Sequence, residues 1–204
     1  MAQKVFPTKS NLINTKKTLA LTKTGWEFLD KKRNILVREM MMTIQKAQNV
    51  QNDVASKFAE GYDLMQKATI SLGMFNQFSF PIPIDNSIEM DYRSIMGVEI
   101  PTLTIEQSEL KPYYGLNFTS SDLDKVYLKF NEIKTLIVKL AEIESSVYRL
   151  ADAIKKTQKR ANALENILIP QFEQTIRYIS EELDEKERED FSRLKVVKGR
   201  RDRE

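Results

Sequence analysis

The chain has 204 residues and a formal net charge of +3, with 30% charged, 41% hydrophobic and 9% aromatic residues, six glycines and six prolines. Few helix breakers and many charges favour long helices over a sandwich or barrel, and so small a net charge does not by itself imply a nucleic-acid partner. With no Cys and no His, the chain alone cannot build a disulfide framework, a Cys/His zinc site, a Ser-His-Asp triad or a Cys nucleophile.

Met1 to Leu12 lacks the apolar core of a secretory signal. No stretch approaches the ~18 apolar residues that span a bilayer, so the expected location is cytoplasmic, soluble or peripheral to a membrane, without direct insertion. The first segment, residues 1–72, opens with Pro7 and with Thr8 or Ser10 as helix caps. Its core positions step by three and four through Leu12, Thr15, Leu19, Thr22, Trp26, Leu29, Leu36, Met40, Thr43, Ala47, Val50 and Val54. That spacing is a heptad seam. Arg33 interrupts the series, either selecting the register of a coiled coil or snorkelling outwards. After Val54 the phase slips by four to Phe58 and continues through Met65, Ala68 and Leu72, a stutter that locally unwinds a supercoil. About 60 helical residues would extend roughly 90 Å, too long for a helix inside a compact domain. Met40-Met41-Met42 reads as core and its edges in preference to a soft contact surface, and Trp26 reads as core.

The middle segment, residues 73–120, holds Pro81, Pro83, Pro101 and Pro112 and loses the helical period. Ile88 to Tyr92 and Val98 to Ile100 alternate as strands do, with Arg93 to Gly97 as the turn. The spacing predicts a β-hairpin over Ile88 to Ile105, with Pro101 marking an edge strand. An isolated hairpin is marginal in water, so it must pack on the helices or on a partner.

The third segment, residues 121–204, follows the capping cluster Ser120-Ser121-Asp122. A second seam runs through Leu123, Phe130, Ile133, Ile137, Leu140, Ile143, Val147, Leu150, Ile154, Ala161, Leu164, Leu168, Phe172, Ile176, Ile179 and Leu183. Pro170 lies inside this pattern; it removes a donor and crowds the Asn166 carbonyl, so the helix should bend there rather than end. Each seam can be buried only against the other or against a partner. The predicted fold class is therefore all-α, a long antiparallel two-helix coiled coil with a small middle insert containing a β-hairpin.

Charge is uneven. Met1 to Arg33 carries eight Lys/Arg against two Asp/Glu, and Arg193 to Glu204 six against two, so the remainder is net acidic. A hairpin of helices would place these basic ends at one tip, either as solvated, frayed ends or inside a partner's charged sleeve close enough to escape screening. Lys155 to Arg160 is a basic run without interleaved aromatics, a weak nucleic-acid signal. Glu181 to Glu185 reads as a solvated face. The glycines form neither G-x-x-x-x-G-K-[ST] nor G-x-G-x-x-G, so no recognisable nucleotide cradle exists, and no cofactor is expected. A coiled coil also offers no enclosed pocket to tune its scattered carboxylates.

Two stretches carry a resemblance. One is Pro7-Thr8-Lys9, Leu12, Lys16-Lys17, Leu19 and Gly25 followed by Phe28-Leu29-Asp30-Lys31-Lys32-Arg33. The other is Lys156-Thr157-Gln158-Lys159-Arg160-Ala161-Asn162-Ala163-Leu164-Glu165, Ile169-Pro170, Ile176 and Glu187-Arg188-Glu189. With them, nearly the whole chain resembles the D-subunit family of bacterial and archaeal V/A-type ATPases. That resemblance implies a non-catalytic central-stalk rotor, paired with the F subunit of the stalk. It implies that both termini reach into a ring of A and B subunits and that the middle region lies towards the protein capping the membrane rotor. On this basis the candidate partner-contact residues are Lys159, Arg160, Asn162, Glu165 and Pro170, with Ile95 and Met96 of the hairpin turn. The competing reading is a generic coiled-coil scaffold or tether; a nucleic-acid-binding helical protein ranks below it.

Overall fold

The computed structural model describes residues 6–73, 82, 86–105, 113–115 and 119–201, without the side chains of residues 199 and 200. Pro81, Pro83 and Pro112 lie outside these residues. The elements are α1 (Lys9–Leu72), β1 (Ile88–Ile95), β2 (Val98–Ile105), α2 (Ser121–Ala163), a π turn (Leu164–Leu168) and α3 (Ile169–Arg201). Their contacts divide the chain into two compact units, Met1–Asn34 with Lys155–Glu204, and Ile35–Ile154.

Local chemistry sets the helix ends. Thr8 caps α1: its Oγ1 accepts the Asn11 amide at 3.2 Å and its carbonyl accepts the Leu12 amide at 3.0 Å, which satisfies donors the first turn cannot. At the other end Gly73 turns left-handed with φ 75° and donates to the Thr69 carbonyl at 2.9 Å, a conformation open to glycine without steric cost. The Leu123 amide donates to Ser120 at 3.0 Å as α2 begins. The predicted α1 seam is the inward face: each of its positions from Leu12 to Leu72 is buried or half-buried, including Phe58 after the stutter.

In the unit that holds both chain ends, contacts run in opposite order along the two chain segments. Lys9 pairs with Glu187 at 2.7 Å, Lys23 with Glu173 at 2.7 Å, the Trp26 indole N–H with Glu165 at 3.3 Å, and Arg33 with Gln158 at 2.8 Å. Rising numbers on α1 meet falling numbers on the other side, so the pair is antiparallel. Ala161 and Ile179 are the fully buried apolar side chains among the described residues of this unit.

The other unit has a larger apolar interior. Leu36, Ile100 and Leu150 form a buried cluster, with Met40, Ile95, Val98, Ala153 and Ile154 against it. Ile100 thus anchors the hairpin between the helices, as a marginal two-stranded sheet requires. Further along, Phe58, Tyr62 and Phe130 stack and meet edge-on around the buried Gly61. Lys129 pairs with Glu60 at 2.5 Å, and Lys57 with Glu132 at 3.7 Å. The buried Tyr114 hydroxyl donates to Asp124 at 2.7 Å; burial first, and this carboxylate second, push its pKa far above the ordinary phenol value.

The hairpin is tighter than its sequence suggests. The strands pair from Ile88–Ile105 to Ile95–Val98, leaving a two-residue loop, Met96-Gly97. Arg93 and Ser94 belong to β1 rather than to the turn. Both loop residues have positive φ, 51° and 75°, which matches the twist of the flanking strands. Counting alternate pairs back from the closing pair Ile95–Val98, Pro101 falls in a non-hydrogen-bonded pair opposite Tyr92. Its missing N–H therefore costs the ladder nothing, and the strand continues to Ile105.

The second seam is less regular than predicted. Val138 is buried while Ile137 is 43% exposed, and Val126, Ser146 and Thr157 join the buried face. Leu168 is turned out to 36% exposure. It lies in the π turn, whose wider backbone takes this side chain off the three-four series, while Phe172, Ile176, Ile179 and Leu183 beyond it are buried or half-buried as predicted.

Candidate functional site

The candidate sites are surfaces. The first is the π turn and the two helical turns before it. Pro170 cannot donate, and in an α-helix its ring would press on the Asn166 carbonyl. The backbone avoids this by widening: the Ile169 N–H bonds to Leu164, five residues back. The helix is thus interrupted by a π turn rather than ended, and π turns are an identifiable cause of kinks. Widening also places Glu165, Asn166, Ile167 and Leu168 on the outside, with Ile167 62% exposed.

Beside it lies a polar chain. Arg33 pairs with Asp30 one turn back and donates to Gln158 Oε1; Gln158 Nε2 donates to Asn162 Oδ1 at 2.6 Å, and Asn34 Nδ2 to Asp30 at 3.1 Å. Arg33 occupies a seam position without being left alone there: it links the two helical segments of its unit. Of the residues singled out from sequence, Lys159 and Arg160 are exposed and Pro170 is half-buried. Asn162 accepts from Gln158, and Glu165 accepts from the Trp26 indole. These five lie in one unit. Sequence reasoning missed Asp30 and Gln158. Asp30 could have been found, because an acid three residues before an arginine shares its helix face; Gln158 could not without the antiparallel register.

The second surface is the hairpin. Ile95 packs against the Leu36–Leu150 cluster, whereas Met96 stands 38% exposed at the loop. On the opposite face of the sheet Ile88, Met90 and Tyr92 are each about half exposed. Met90, Pro101 and Leu103 face Glu144, Ser145, Tyr148 and Arg149 of α2 across a groove of about 460 Å³. Arg149 ties the hairpin to the helix, donating to the Glu99 carbonyl at 3.2 Å and covering the Tyr92 ring at 5.3 Å. Tyr148, 78% exposed, stands at the groove's edge. Among the described residues no helix is long and apolar enough to cross a membrane.

The family model for the ATP synthase D subunit matches residues 11–199. The chain belongs to the ATP synthase D-subunit family. Its relatives agree over nearly their whole lengths. The V-type ATP synthase D subunit of Thermotoga neapolitana is 40% identical, over 95% of this chain and 97% of the relative. The A-type ATP synthase D subunits of Thermococcus sibiricus and Pyrococcus furiosus are 36% and 34% identical, each over 96% of this chain and 94% of the relative. A D-subunit chain of this family therefore carries the π turn and the hairpin described above within the matched span.

Proposed function

We propose that this D-subunit chain is the central-stalk rotor shaft of a V/A-type rotary ATPase, coupling ATP hydrolysis or synthesis in a ring of A and B subunits to proton or sodium transport. It has no catalytic site of its own. It pairs with the F subunit and sits on the protein that caps the membrane rotor, peripheral to the membrane on its cytoplasmic side. The observation that carries this reading is the family match across residues 11–199, joined to relatives named as subunits of V-type and A-type ATP synthases.

The local structure suits the task. Torque needs a body of paired helices, and both units contain one. A shaft that turns past three similar interfaces must hold each of them weakly, and a solvent-exposed polar face is suited to that because exposed ion pairs contribute little each. The unit with both chain ends enters the ring, so that Lys159, Arg160, Asn162, Glu165 and the Pro170 turn face A and B. Ile95, Met96 and the neighbouring groove face the F subunit and the cap. The π turn and the stutter at Val54–Phe58 make the shaft unequal around its axis. An unequal shaft can favour a different conformation in each catalytic pair, a population shift driven by differential contacts.

The test is sustained ATPase turnover of a reconstituted A–B ring, with this chain and the F subunit added or withheld, alongside sizing of the mixture. One copy joining the ring and changing sustained turnover supports the reading. A chain that neither joins the ring nor recruits its stalk partner would make a scaffold or tether the better account.

A further inference from the structure

The two units are built from different seams. In the unit of Met1–Asn34 and Lys155–Glu204, Thr15, Thr22 and Arg33 share the α1 seam with Leu12, Leu19, Trp26 and Leu29, and Thr157 is buried on the facing segment, whereas Thr43 is the polar residue of the α1 seam in the other unit. Thr15 and Thr22 turn their hydroxyls back to their own helix, donating to Asn11 and Thr18 carbonyls at 2.7 and 2.8 Å, a bond that slightly weakens helices and spends the side chain locally. The cross-helix links at Lys9, Lys23, Trp26 and Arg33 are polar. Ala161 and Ile179 are the unit's fully buried apolar side chains among its described residues, and the π turn with Pro170 interrupts its helical ladder. The unit Ile35–Ile154 instead buries Leu36, Ala68, Ile100, Leu123, Val126, Ile133, Val138 and Leu150. Helical pairs in water are held by apolar packing far more than by exposed polar links.

We propose that the unit holding both chain ends opens locally as one cooperative piece in the free protein and becomes ordered when the ring closes around it. The boundary lies between the Arg33–Gln158 link and the Leu36–Leu150 cluster. The inference rests on the rotor reading and deepens it: the ring supplies the apolar cover that the seam lacks, so assembly and ordering of the shaft end are one event.

Hydrogen exchange of the full chain, free and in the reconstituted ring, tests this. In the free chain, amides of residues 12–30 and 172–183 should exchange at least about tenfold faster than those of residues 58–68 and 126–150, with a single step at the boundary rather than a gradient from the ends. In the ring that difference should close. The double substitution Thr15→Leu, Thr22→Leu, which fills the seam, should slow exchange throughout this unit and leave the other unchanged. Equal protection of both units in the free chain overturns the proposal while leaving the rotor reading intact. So does a smooth gradient, or unchanged exchange in a chain that sizing shows to be inside the ring. Failure to enter the ring at all, seen by sizing, overturns both.

Discussion

Gly61 lies under Ile133 and Phe130, and a Cβ there would stand 3.1 Å from Ile133 Cδ1. Alanine is a close fit; a larger side chain must displace an aromatic cluster already in edge-on contact. Gly61→Leu should therefore destabilise the fold by about 1–3 kcal/mol through overpacking, read from the urea midpoint; an unchanged midpoint would mean the helices part easily at this point. A few residues away, the Lys129 ammonium holds the Glu60 carboxyl below its ordinary pKa, by hydrogen bonding first and by charge second. Because the folded value is depressed, this pair's contribution is present above the unfolded carboxyl value of 4.5 and is lost as pH falls through the folded one. The melting difference between the native chain and Glu60→Gln should accordingly shrink from pH 7 to pH 3. A difference as large at pH 3 as at pH 7 would show that the charge pair is not its source.

At the scale of elements, the hairpin loop and the π turn each hold a residue at odds with its local backbone. Met96 has φ 51° in a loop that favours Asn-Gly. Met96→Asn should stabilise the hairpin by about 0.5–1 kcal/mol, since asparagine tolerates the left-handed region better. If Met96 touches a partner, the same variant binds the F subunit or the cap more weakly, and a pull-down separates the two effects. Pro170→Ala should let the π turn relax to α-helix and raise thermal stability by up to about 3 kcal/mol. Coupling, measured as ions moved per ATP, should fall in the same variant. Higher stability with unchanged coupling would remove the π turn from the mechanism.

These elements also mark what could be read without coordinates. Heptad steps located the α1 seam residue by residue, and strand alternation located the hairpin, because both periods are imposed directly by backbone geometry. The loop length is not legible in the sequence, because Arg93 and Ser94 are polar and read as turn together with Ile95, while the ladder from Ile88–Ile105 to Ile95–Val98 is fixed by pairing. The outward turn of Leu168 is hidden for a different reason: a strict three-four series assumes an uninterrupted α-helix, and a π turn just before Pro170 replaces it locally. Val138, buried in place of Ile137 within the regular helix α2, has no such local cause. The Arg33–Gln158–Asn162 chain depends on the register between distant segments, which no local pattern encodes.

At the scale of the whole molecule, the chain is a member of the ATP synthase D-subunit family whose two units each hold a pair of helical segments. On the rotor proposal, the chain turns relative to a ring of A and B subunits. It contains no cysteine, so a single one introduced at the exposed Asp63 gives a unique attachment point for an optical probe. With the A–B ring fixed to a surface through its own tags, addition of ATP should make the probe turn in one direction in three equal steps. A probe that stays still while the ring hydrolyses ATP with this chain bound would contradict the account.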